Sequence, residues 1–317
     1  MANETARIMT QGAPPAPLIF DRALIRRWRR RAAALGPVTV LLDRVAADLA
    51  ERLAAVRRQF AVAVDLGTPG EAVRAALAGL GTLGTLIVLD AIAERGARRA
   101  GQMQNKIAAD EEALPFREAS LDLVVSALAL QFVNDLPGVL VQIRRALRPD
   151  GLLLAALIGG DTLTELRQSF IAAELEREGG ASPRVAPFVD VRAAGDLLQR
   201  AGFALPVADA DRYTLRYQSP FALMHELRRM GAANALFERR RTPLRRATLM
   251  RMAEIYRDRF ADIDGRVRAT FDIVWLSGWA PHPGQQQPLK PGSAQSRLAD
   301  ALGTQELSAG EKAGNSE

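Results

Sequence analysis

Between residues 61 and 160 the chain repeats one pattern: a short apolar run, then an acid or a glycine, then a stretch with helical spacing. The runs are AVAVDL (61–66), TLIVLD (85–90), KIAAD (106–110), LDLVVSALAL (121–130) and LLLAALIGG (152–160). A strand apolar at consecutive positions is covered on both faces, as in a parallel sheet. Between the runs, EAVRAALAGLG (71–81), AIAERGARRAGQ (91–102) and DLPGVLVQIRRALRPDG (135–151) read as helices, stopped by glycine or proline. Parallel strands joined by helices cross over right-handedly. The pattern predicts an α/β fold with a doubly wound sheet.

On either side the rhythm changes. Residues 1–17 are polar and proline-rich and are expected to be disordered. Residues 18–60 hold two expected helices. In the first, Trp28 lies among Arg26, Arg27, Arg29, Arg30 and Arg31. That helix is either a solvated basic face with one anchoring aromatic, or a contact to an acidic partner or lid over a site. In the second, Leu41, Val45, Leu49, Leu53 and Val56 share one face. After Gly160, DTLTELRQSFIAAELERE, DVRAAGDLLQRAGF and the stretches near 220–231 and 243–260 read as helices. RYTLRYQ and ATFDIVWLSGWA read as strands. The tail from 283 to 317 lacks an apolar pattern and is expected to be disordered.

Several chemistries are excluded. There is no cysteine, hence no disulfide, thiol nucleophile or cysteine-ligated metal. The two histidines, His225 and His282, are far apart, so a histidine-rich metal site is excluded and no metal is expected. The net charge is +6, with lysine only at Lys106, Lys290 and Lys312. Arginine is spread along the whole chain, which favours GC-rich codon usage over a nucleic-acid surface. No apolar run is long enough to span a membrane, which leaves peripheral contact open. The first residues lack the form of a secretory signal. A cytoplasmic bacterial protein is expected, or one of a mitochondrial-matrix-like compartment if eukaryotic.

In open α/β sheets, ligands bind beyond the carboxyl ends of the strands. The residues there are Asp65 with Gly67, Asp90, Asp110 and Ser126. A glycine after the first strand lets a ligand approach the backbone. An acid ending the second strand accepts from both hydroxyls of a ribose, and one after the third accepts from an exocyclic amine. Each position alone is as easily a cap or turn. Three acids on three successive strands point to a nucleoside site.

AVDLG, ADEEALPF, LDLVVSALAL and IRRALRPDGLLL resemble, in order, the motifs of the class I S-adenosylmethionine-dependent methyltransferases. They are similar to the malonyl-carrier-protein and quinone methyltransferases among them. LIFDRALIRR, FVNDLPGVLVQI, GGDTLTELR, EREGGASPRVAPF, GDLLQRAGF and the stretch from FERRRTPLRR to DIVWLSGW resemble the complex I assembly factors with a methyltransferase fold, and their bacterial relatives. The resemblance spans about residues 18–280. It implies a seven-stranded, mostly parallel, Rossmann-like sheet with helical additions and one antiparallel strand near 269–277. It implies a cofactor core at 61–160 and the remainder of the fold at 161–282. It implies S-adenosylmethionine as cofactor, held at its methionine end by Asp65 and Gly67, at its ribose by Asp90 and at its adenine by Asp110. Gly70, Ala91, Glu111 and Ser126 complete the expected lining.

The resemblance further implies an enzyme acting on an arginine of a respiratory complex I subunit, by methylation or hydroxylation. Two alternatives stay open: a non-catalytic assembly factor with a degenerate cofactor site, and a small-molecule methyltransferase. The glycine loop departs from the family pattern: Pro69 replaces the second glycine and Glu71 the third. Gln131 stands where relatives often carry histidine. Asp161 is either a helix N-cap or a contact to a cationic substrate, with Glu165 one turn on. EREGGASPR (176–184) is a loop or a lid.

Overall fold

The structure is a computed structural model, and it describes residues 18–92, 105–286 and 298–305. The N-terminal helices are α1 (Arg22–Ala34) and α2 (Val40–Ala54). α1 starts where Asp21 accepts from the Leu24 backbone N–H at 3.0 Å, which satisfies one of the donors a helix start leaves free. α2 buries Leu41, Leu42, Val45, Leu49 and Leu53 against the sheet. Each wholly buried leucine contributes roughly 1.5–3 kcal/mol.

The core alternates strand and helix: β1 (Phe60–Leu66), α3 (Ala72–Leu77), β2 (Leu83–Leu89), β3 (Lys106–Ile107), β4 (Leu121–Ala127), α4 (Leu136–Ala146) and β5 (Leu147–Ile158). There follow α5 (Thr164–Glu178), α6 (Val191–Arg200), β6 (Ala204–Tyr217), α7 (Pro220–Arg229), α8 (Arg246–Phe260) and β7 (Val267–Trp279). The sheet has seven strands in the order β3-β2-β1-β4-β5-β7-β6. β1, β2, β3, β4 and β5 pair in parallel. β7 runs antiparallel to both neighbours, as expected for 269–277. Order reverses between β1 and β4, and a crevice opens at such a switch point.

Both faces of the strands are apolar, so each face has its own helical layer. Leu123, Val125 and Leu154 pack towards the face of α2, α5, α7 and α8. Val124, Leu153 and Ala155 pack towards α4 and α6. This is the two-sided cover that the uninterrupted apolar runs require.

Two expectations change. The helix of 71–81 shortens to α3, ended before Gly79 and Gly81. α5 begins at Thr164 with Leu163, not Asp161, as its cap residue, and Leu163 sits in the left-handed region (φ 55°). The segment from His282 is a separate unit. Where it is described, it holds one short helix, α9 (Leu298–Leu302). The expected helix at 91–102 begins in a turn at Ala91 and Ile92, and the rest lies outside the described residues, as do residues 1–17.

Candidate functional site

The ends of β1, β2 and β3 lie side by side, with Asp65 level with Val88 and Leu89 beside Ile107. The loop after β1 is shaped by two glycines. Gly67 has φ +71°, and a Cβ there would meet Glu111 Cγ at 2.8 Å. Gly70 has φ +74° and faces open space. Glu71, in the place of the third glycine, turns outward. Lys106 Nζ donates to it at 2.8 Å, and Arg74 binds its other oxygen. Burial raises the Glu71 pKa while Lys106 and Arg74 lower it, and the net lies below the ordinary carboxylate value.

A cavity of about 630 Å³ opens beside this loop. Pro69, Gly70, Asp90 and Ile92 form its wall on the side of this loop. Its interior is apolar, built from residues such as Leu42, Ile158, Leu166, Phe170, Met224 and Phe271. The charged residues on its wall are Asp90, Arg29, Arg184, Arg228 and Arg229. Asp90 Oδ1 accepts from the Ile92 N–H at 2.8 Å, which orients the carboxylate at the cavity edge. Two wall residues, Leu128 (φ 52°) and Leu163, carry left-handed backbone. Such strain is seen where surrounding structure holds it in place.

Not every expected residue reaches this cavity. Asp65 is 1% exposed and lines neither this cavity nor the smaller one beside α1. Its Oδ1 has no partner among the described residues. Desolvation, aided by the charges of Glu71 and Asp90 and opposed by hydrogen bonds from Thr68, pushes its pKa up to about 7. Ser126 is wholly buried and donates to the Leu66 carbonyl at 2.7 Å. It seals β1 to β4 and lines neither cavity.

Asp161 and Glu165 are also placed elsewhere. Asp161 is exposed and pairs with Arg212 at 2.7 Å. Glu165 is buried and accepts from the Thr270 N–H at 3.1 Å and its hydroxyl at 2.5 Å. Both carboxylates are engaged by β6 and β7 residues, and neither lines the chamber. The segment EREGGASPR is a pinned wall: Ser182 and Arg184 both donate to the buried Glu174 carboxylate, and Arg184, Val185 and Ala186 line the chamber.

Asp110 and Glu111 meet arginines of α1. Arg22 Nη2 donates to Asp110 Oδ1 at 2.7 Å and also to Glu111, while Nη1 lies 3.0 Å from Glu112. Arg26 binds the other Asp110 oxygen. Arg29 Nη1 is 3.4 Å from the Gly67 carbonyl and 3.8 Å from Glu111. Burial pulls the Arg29 pKa below its ordinary value, with Glu111 and Asp90 acting against that. Beside these groups, Ala91, Ile92, Ala129 and Phe132 enclose a space of only about 10 Å³, room for about one water. From sequence, Arg26 and Arg29 lie on the helix read as a solvated face, a partner contact or a lid, and Arg22 is not singled out. Their signal was present, since positions i, i+4 and i+7 share one helix face.

Gln131 donates through Nε2 to the Leu128 carbonyl at 2.8 Å, and its Oε1 is buried without a partner. It lines the chamber, where its amide orients but does not titrate. Among the described residues no group of three or more His, Asp or Glu could hold a metal ion, and no helix is long and apolar enough to cross a membrane.

Comparison with known proteins places this geometry. Residues 64–155 match a methyltransferase domain model. The human protein "arginine-hydroxylase NDUFAF5, mitochondrial" is 40% identical over 282 residues, which are 87% of this chain and 81% of the relative. A malonyl-[acyl-carrier protein] O-methyltransferase of Halorhodospira halophila is 36% identical over 266 residues, 82% of this chain and 88% of the relative. A solved structure from Bacillus halodurans, assigned as a methyltransferase, superposes with a TM-score of 0.50 at 16% identity, over 74% of this chain and 99% of that one.

Proposed function

The chain belongs to the class I methyltransferase superfamily and, within it, to the family of the NDUFAF5 arginine hydroxylases; from that premise we propose that it binds S-adenosylmethionine and modifies a subunit of respiratory complex I during assembly. The observation that carries the cofactor reading is the open rim formed by Gly70 and Asp90 at the mouth of the large cavity. The residues present fit the methionine and ribose portions. Gly70 leaves the backbone approachable, Asp90 is placed for ribose hydroxyls, and Arg29 is a buried cation suited to a carboxylate. Bound there, the cofactor supplies an electrophilic methyl group on a sulfonium. The chain's share is alignment and exclusion of water by the apolar chamber, and alignment supplies most of the effect in such a transfer.

The relatives' name points to an arginine side chain as target, by methylation or hydroxylation. In a bacterium that reading places the chain in the cytoplasm. Mass spectrometry of complex I subunits from cells with and without this gene tests it. An arginine gaining one methylene or one oxygen only when the gene is present supports the reading and separates the two reactions. Identical subunits in both cells overturn it.

A second reading, a small-molecule methyltransferase of the malonyl-carrier type, is favoured by one observation. The chamber wall carries four arginines against the single acid Asp90, which suits a carboxylate better than a guanidinium. Methyl transfer from labelled cofactor to small acids tests that alternative. A thermal-shift titration tests cofactor binding itself: S-adenosylmethionine or its demethylated product should raise the melting temperature in a dose-dependent way. No shift up to millimolar ligand would leave an assembly factor without a working cofactor site.

A further inference from the structure

α1 lies across the acids that the adenine end would meet. Three of its arginines, on one face, contact three consecutive carboxylates: Arg22 with Asp110, Glu111 and Glu112, Arg26 with Asp110, and Arg29 with Glu111. Both oxygens of Asp110 are taken by arginines. The space left beside them holds about one water, and a purine ring does not fit. Yet the seat is poorly satisfied. Arg26 Nε and Trp28 Nε1 are buried without a hydrogen bond, and Arg22 Nη1 has only its ion pair with Glu112. Buried orphans of this kind destabilise the closed arrangement. At its start α1 is tethered through Asn134, whose Oδ1 accepts from the N–H groups of Ile19 at 2.9 Å and Phe20 at 2.7 Å.

We propose that α1 is a latch which occupies the adenine subsite in cis, so that the nucleoside enters by displacing Arg22 and Arg26 from Asp110, Glu111 and Glu112. This rests on the reading of the rim as a nucleoside site. The ligand and the helix compete for the same carboxylates. Salt weakens partly exposed ion pairs, since the Debye length falls from about 30 Å at 0.01 M to about 3 Å at 1 M. Affinity for a ligand of no net charge therefore rises with salt, opposite to a site that binds by charge.

The test uses S-adenosylhomocysteine and the full chain, titrated calorimetrically at low and high salt, with hydrogen exchange followed over residues 20–34. Wild type should bind more tightly as salt rises, and α1 should exchange faster once the ligand is bound. Emission from Trp28 should shift to the red. Arg22→Gln/Arg26→Gln should bind about tenfold more tightly than wild type at low salt, a gain of roughly 1.4 kcal/mol, and lose the salt response. Asn134→Ala loosens the tether without touching the arginines or acids and should move affinity the same way. Slower exchange in α1 on binding, or arginine variants no tighter than wild type, overturns the latch. Absence of binding in wild type and all variants instead overturns the nucleoside reading on which it rests.

Discussion

Replacing Asp65 with asparagine should remove a pH dependence from the stability of the whole fold. The wild-type carboxyl is sealed at the end of β1 and has a pKa of about 7 against an ordinary 3.8. That shift corresponds to on the order of 4 kcal/mol, at ~1.4 kcal/mol per unit. The folded pKa is raised, so the folded state holds the proton more tightly than the unfolded chain. The stabilisation is fully present below about pH 4 and is lost as pH rises through about 7. Between pH 5 and pH 8 roughly two units of this range are crossed, a loss of about 3 kcal/mol. For a domain of this size that is roughly 6–12 °C in melting temperature.

Asparagine has the same shape and stays neutral, so Asp65→Asn should lack this component. Urea melts of both proteins at pH 5 and pH 8 give the difference of differences, in which other titrating groups cancel. The variant should gain about 3 kcal/mol relative to wild type on going from pH 5 to pH 8. Parallel pH profiles for the two proteins would refute the argument, because they would mean that Asp65 is ionised and solvated in the fold.

Four further outcomes follow from the geometry. Glu165→Ala should cost about 1–3 kcal/mol, because the Thr270 N–H is left without its partner; ligand affinity should be unchanged, read by urea melts and calorimetry on the same samples. Gly67→Ala should destabilise by roughly 1–3 kcal/mol, since φ is +71° and the new methyl meets Glu111; an unchanged melting temperature would contradict this. Asp90→Ala should weaken S-adenosylhomocysteine binding by about 10- to 100-fold, the range for charged hydrogen bonds, while leaving the unliganded melting temperature within a few degrees. Asp161→Ala breaks an exposed pair with Arg212 and should change stability by less than about 1 kcal/mol; a larger loss would show that the pair does more than its exposure suggests.

The parallel direction of the core strands and their two-sided cover were legible in the residues because they follow from local periodicity, whereas the antiparallel strand came from the family resemblance and the strand order from the structure. An apolar run such as LDLVVSALAL can satisfy both of its faces only inside a covered parallel sheet, and the acids or glycines that end the runs mark the rim. Asp90 was singled out by that logic alone, whereas Gly70 came only with the family resemblance. The fate of Asp65, Ser126, Asp161 and Glu165 was not legible. Whether an acid near a strand end faces a cavity or a neighbour depends on groups distant in the chain, such as Thr270, 105 positions from Glu165. The same holds for the arginines of α1. Their shared face could be read from spacing, but their contact with Asp110, 88 positions from Arg22, could not. Charge acts through space, and only the folded chain sets which carboxylate a given guanidinium finds.

A basic helix rests on the acidic loop that follows β3 and, through Arg29, Ala32 and Ala33, also forms part of the wall of the apolar chamber. A crystal form with nucleoside bound while Arg22 and Arg26 keep their carboxylates would overturn the latch. What local pattern settled was the scaffold, because periodicity needs only near neighbours; what three-dimensional packing settled was which acids stay free, because burial and charge pairing are made across the whole chain.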